Sequence, residues 1–130
     1  MKLSMRNVRY LQTKREKADK GSIREVGYYF TKDNLQVNEI TRRGRGIIVE
    51  SLSYVGEESY TMFKAICTKF FEKFSFPEKI VKHHEGGQVF YSMLYGKENL
   101  VNSEISDIME RSEKSEIVNV ENFYKDVVKG

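Results

Sequence analysis

Tryptophan is absent from this chain; cysteine occurs once, at Cys67, proline once, at Pro77, and histidine only as the adjacent pair His83 and His84. A lone cysteine excludes an internal disulfide framework and a cysteine-built zinc centre within one chain. Cys67 falls among apolar residues at helical spacing, the setting of a small buried hydrophobe; a reactive thiolate needs an exposed, electropositive one. Neighbouring residues of a strand face opposite sides of a sheet, so His83 and His84 are poorly placed to share a metal ion. No apolar run approaches the ~20 residues that cross a bilayer, and no apolar segment follows Met1. These absences lead to the expectation of a soluble, cytoplasmic protein with no membrane partner, no metal and no cofactor.

What the chain does contain is aromatic and charged. Its 130 residues include eight Phe and eight Tyr, and that length fits one domain, residues 1–130, with a real hydrophobic core. Charge is divided unevenly: residues 1–50 hold twelve Lys and Arg against six Asp and Glu, and residues 51–130 hold ten against thirteen. A basic N-terminal half makes an anionic partner plausible, since charge of one sign governs association more than fold.

The pattern of apolar residues is organised around Glu57 to Phe76. Tyr60, Phe63, Cys67, Phe70, Phe71 and Phe74 recur every three or four residues, opposite Lys64, Thr68, Lys69, Glu72 and Lys73, which predicts an amphipathic helix. Gly56 breaks the chain before it, and the Phe76-Pro77 step ends it, because a residue preceding proline is pushed out of the helical region. Ahead of this helix, alternation predicts a strand over Leu3 to Gln12 and a solvated loop over Thr13 to Ser22. A hairpin turning at Lys32-Asp33-Asn34 follows, then a strand from Gly46 to Val55. After the helix, Glu85-Gly86-Gly87 joins two strands, residues 96–101 read as a loop, Ser103 reads as the N-cap of a short helix, and the tail reads as a strand and a helical turn. Hairpins outnumber crossovers, so the expected class is α+β: an antiparallel sheet of five to six strands, one long helix packed on one face and a shorter C-terminal helix.

Thr41-Arg42-Arg43-Gly44-Arg45-Gly46 is the most distinctive run. Glycine lets backbone approach a ligand and guanidinium groups grip phosphate or carboxylate in pairs, so Arg42, Arg43 and Arg45, together with Lys14, Arg15, Lys17 and Lys20, are the candidate anion-binding residues. The plainer reading is a solvated turn whose arginines protect a sheet edge. The run lacks the Lys-Ser/Thr ending of a P-loop. Tyr29, alternating with Val26, Tyr28 and Phe30, is the candidate ring for stacking on a base. Either histidine could act as a general base with Glu85, although no serine or aspartate is placed by spacing to complete a triad, and no catalytic residue is assigned.

The expected function is therefore non-enzymatic binding of nucleic acid or a nucleotide by the basic half. The alternatives are a protein-interaction module or inhibitor, such as a small accessory or viral factor acting on a host protein, and a small His-dependent nuclease or phosphodiesterase. Self-association is a further expectation, because Glu104, Asp107, Glu110 and Glu113 form an acidic helix surface complementary to the basic half.

Overall fold

A computed structural model describes the backbone of residues 8–17, 23–31, 36–44 and 46–130, and side chains from residue 36 onward except those of residues 45 and 58. The elements run β1 (Val8–Lys17), β2 (Ile23–Thr31), β3 (Gln36–Gly44), β4 (Ile47–Tyr54), a 3-10 turn (Glu57–Ser59), α1 (Tyr60–Phe74), β5 (Lys79–Glu85), β6 (Gln88–Gly96), α2 (Glu98–Arg111), β7 (Lys114–Val118) and α3 (Val120–Phe123), which runs into a wider π-type turn (Tyr124–Val128). The fold is α+β. The seven strands among the described residues form one antiparallel sheet in the order β1-β2-β3-β4-β6-β5-β7.

Alternation along the central strands decides what each face does. Ile48, Leu52 and Tyr54 of β4, Ile80 of β5 and Met93 and Tyr95 of β6 meet the aromatic side of α1, where Met62, Phe63, Ile66, Cys67, Phe70 and Phe71 are buried. Phe123 and Val127 of the tail close the same core. One residue out of phase, Val49, Val81 and Leu94 point the other way and pack against Val101, Ile105 and Ile108 of α2. The helices thus occupy both faces, a departure from the one-sided packing that hairpin order alone suggests. The physical reason is that β4, β5 and β6 are apolar in both phases, and a second apolar face must also be covered.

Other boundaries shift for local reasons. Residues 13–17 continue β1 where the sequence suggests a loop, paired in register with Gly27 to Ile23 and following an irregularity between Tyr10 and Gln12. Residues 1–7 and 18–22 lie outside the described residues. Helix α2 begins at Glu98, not beyond Ser103, and its N-cap is Lys97 without a side-chain cap. Val101, fully buried, starts the apolar stripe that Ile105 and Ile108 continue, and burying it outweighs an available serine cap. Ser59, just before α1, likewise caps nothing: its hydroxyl accepts from the Gln36 backbone N–H at 3.1 Å, tying the start of β3 to the start of the helix. Gly86 and Gly87, both at positive φ, make the two-residue turn between β5 and β6.

Phe63 is the centre of the aromatic packing, 1% exposed, with ring centroids 4.7 Å from Tyr54 and 5.2 Å from Tyr91. Phe63→Ala is expected to destabilise the protein by ~3–5 kcal/mol through lost burial and the cavity left behind. Phe76→Ala, at a ring half exposed beside Phe71 and Tyr124, should cost far less. Denaturant titration of both variants measures the difference.

Candidate functional site

The Arg-Gly run forms the end of β3 and the turn into β4, so adjacent arginines point to opposite sides of the sheet. Arg42 goes to the α2 side and pairs with Glu104, which is itself buried and not part of a solvated acidic surface. Arg43 goes to the α1 side, half exposed, 3.6 Å from a Glu50 carboxylate oxygen and 5.6 Å from the Phe74 ring centroid. Arg45 and Lys20 lie outside the described residues, as do the side chains of Lys14, Arg15, Lys17 and Tyr29. Backbone register still places some of them. Lys17 pairs with Ile23, Ile23 with Arg43 and Arg43 with Ile48, so Lys17 and Ile23, which flank residues 18–22, share one end of the sheet with the Arg-Gly turn. Tyr29 stands in register with Val37, a residue of the core beneath α1.

At that end a shallow cavity of about 460 Å³ is lined by Arg43, Gly44, Gly46, Ile47, Ile48, Tyr95 and Gly96. Its walls depend on glycine. A Cβ placed on Gly96, whose φ is +152°, would stand 2.7 Å from the Gly46 carbonyl oxygen, so no side chain fits between the turn and the end of β6. The Tyr95 hydroxyl is buried and has no hydrogen-bond partner among the described residues. Burial, and secondarily the Glu50 charge, hold its pKa above the ordinary value.

Glu50, on the α1 side, lies in the core, 2% exposed. It accepts a hydrogen bond from Thr41 Oγ1 at 2.6 Å. Burial is the main reason its pKa is pushed up to about 7; Glu39 adds to the rise, while the Thr41 hydrogen bond, Arg43 and Lys73 oppose it.

A second cluster lies on the α2 side. His83 is buried on β5; its Nδ1 is 2.9 Å from Glu85 Oε2, and its Nε2 is 2.6 Å from Ser92 Oγ. Ser92 Oγ is in turn 2.6 Å from Ser51 Oγ, and Arg111 Nε donates to Glu85 Oε1 at 3.0 Å. Burial lowers the His83 pKa against the opposing pull of Glu85, so the imidazole is neutral near pH 7. A cleft of about 120 Å³ opens beside this chain, lined by Ile40, Arg42, Val49, Ser51, His83, Glu85, Phe90 and Arg111. His84 faces the opposite side of the sheet, by alternation. The partners of His83 come from β4, β6 and the end of α2, so no spacing along the chain announces them. The one available signal is Ser51 and Ser53 alternating with apolar residues in β4, which puts hydroxyls where a strand interior is otherwise aliphatic.

Comparison of the chain with protein-family models, with curated proteins and with solved structures finds no match. No helix among the described residues is long and apolar enough to cross a membrane.

The Glu50 geometry carries a pH dependence. Its folded-state pKa of about 7 lies above the ordinary value of 4.5, so its contribution to stability is complete below pH 4.5 and is lost as the pH rises through 7. Glu50→Gln keeps an acceptor for Thr41 and removes the titration. The variant should be more stable than the parent at pH 8, by on the order of 1–3 kcal/mol, and hold no advantage at pH 4.5. Guanidinium unfolding at the two pH values gives the comparison.

Proposed function

We propose that this protein is a binding protein for a phosphate-bearing anionic ligand, nucleic acid or a nucleotide, and that the Arg-Gly turn between β3 and β4 is where it engages the phosphate. The observation that carries the reading is one cavity bordered by the half-exposed guanidinium of Arg43 and by Gly44, Gly46 and Gly96. A phosphate oxygen accepts hydrogen bonds, and this border offers a guanidinium donor where backbone can come close. Arg43 is held only loosely by Glu50, and Glu50 is largely protonated below pH 7, so the guanidinium is not locked in an internal pair.

Register extends the cationic end of the sheet. Lys17 lies two strands from Arg43, roughly 10 Å across the ladder at ordinary strand spacing. A chain of phosphates can meet Arg43 and Lys17 at once, whereas a single nucleotide uses the turn alone. The reading at this site is binding without turnover.

Labelled single-stranded and double-stranded oligonucleotides, and a labelled nucleoside triphosphate, titrated across a salt series provide the test. Binding at low salt should weaken with a log-log slope of about 0.7 to 0.9 per phosphate contacted, and Arg43→Ala should reduce both the affinity and the slope. Absence of binding to all three ligands at low salt, or an Arg43→Ala variant that binds as the parent does, sinks the proposal.

A further inference from the structure

The carboxylate of Glu85 can only accept, so the His83 Nδ1 at 2.9 Å from it donates, and the Nε2 of neutral His83 must then accept. The Ser92 hydroxyl, 2.6 Å from Nε2, points its proton there, and Ser51, 2.6 Å from Ser92, points its own proton at Ser92. Arg111 fixes the far oxygen of Glu85. One polarised line thus runs from an Arg-anchored carboxylate through an imidazole and a buried hydroxyl to a second hydroxyl, which borders the cleft. Packing alone does not require this line. Alanine or valine at 51 and 92 would fill a strand interior without burying hydroxyls, each of which costs about 1–3 kcal/mol if left unpaired.

We infer that Ser51 is a nucleophile, activated through Ser92 by the His83-Glu85 pair, and that the cleft accepts the acyl group of a short-chain carboxylic ester. Hydroxyl, imidazole and carboxylate follow the order of acyl-transfer triads, with one further hydroxyl interposed. Ser51 Oγ attacks the ester carbonyl carbon as its proton moves to Ser92 and the Ser92 proton moves to His83 Nε2. Protons return along the same line to the departing alkoxide, which leaves as the alcohol. Water then attacks the acyl-Ser51 carbonyl, gives its proton to the line and releases the carboxylic acid and free Ser51. Arg42 and Arg111 border the same cleft and put positive charge near the developing oxyanion. A volume of about 120 Å³ suits an acyl group of about two to four carbons. Ser51 is the catalytic residue, Ser92 and His83 carry the proton, and Glu85 and Arg111 are positioning residues. This cleft lies across the sheet from the Tyr95 cavity, and the inference is independent of the phosphate reading.

A fluorophosphonate probe tests it, since attack by an activated serine forms an oxygen-phosphorus bond and expels fluoride. Peptide mass analysis should find the adduct on Ser51, Ser51→Ala should remove it, and p-nitrophenyl acetate should be hydrolysed by the parent and not by Ser51→Ala. Glu85→Gln changes a partly exposed residue and should leave the melting temperature within a few degrees of the parent while slowing labelling about tenfold or more. A parent protein that is folded and takes no label on Ser51, label confined to another residue, or an unchanged labelling rate in Glu85→Gln overturns the inference.

Discussion

The burial of the aromatic side of α1 against Leu52, Ile80 and Met93 is the constraint from which the other placements follow. Once those residues face the helix, period-two alternation allows no choice for their neighbours. Val49, Val81 and Leu94 must face the other way and need α2 to cover them. The same alternation sends Arg42 and Arg43 to opposite sides, brings Glu50 into the core beside Thr41, and turns His83 away from His84. A slip of one residue in β4 would turn Leu52 away from α1 and Val49 away from α2, so the register of β4 is held by both cores at once.

Much of the scaffold was legible in the chain because burial leaves a local trace. The three-and-four spacing from Tyr60 to Phe74 and the two phases of Ile47 to Tyr54 each describe a surface that one element presents to the core, and the structure places those surfaces as the spacing implies. The glycine reversal at Gly86 and Gly87 was readable because positive φ has a residue preference. The start of α2 was hidden by competition between a serine suited to capping and a valine suited to burial, which only the packed sheet decides. The sites were far less legible. Arginines and glycines at 42–46 mark a candidate site from sequence alone, but Tyr95 and Gly96 line it from a strand some fifty residues away along the chain. Ser51, Ser92, His83, Glu85 and Arg111 are brought together by strand order, which spacing along one chain does not encode.

Polar groups in the core divide into two kinds. The hydroxyls and imidazole on the α2 side are matched donor to acceptor, and low local dielectric strengthens such a chain while penalising any unmatched member. On the α1 side the matching is incomplete: Glu50 is held near its protonated form, and the Tyr95 hydroxyl lacks a partner among the described residues. Matched polar groups rigidify the place where they sit. Unmatched ones leave a site whose electrostatics depend on what arrives there.

Four of the six ladders join strands that are consecutive in the chain, while β4–β6 closes around α1 and β5–β7 closes around α2. The β4–β6 ladder is therefore a seam between an N-terminal meander and everything that follows. Both clusters described above straddle it: Ser51 faces Ser92 across the ladder, and Ile48 faces Tyr95. A chain emerging from the ribosome holds Arg43 and Ser51 long before it holds Tyr95, His83 and Ser92. Neither cluster can exist before β5 and β6 have been made, and the β4–β6 seam is the ladder that brings each of them together.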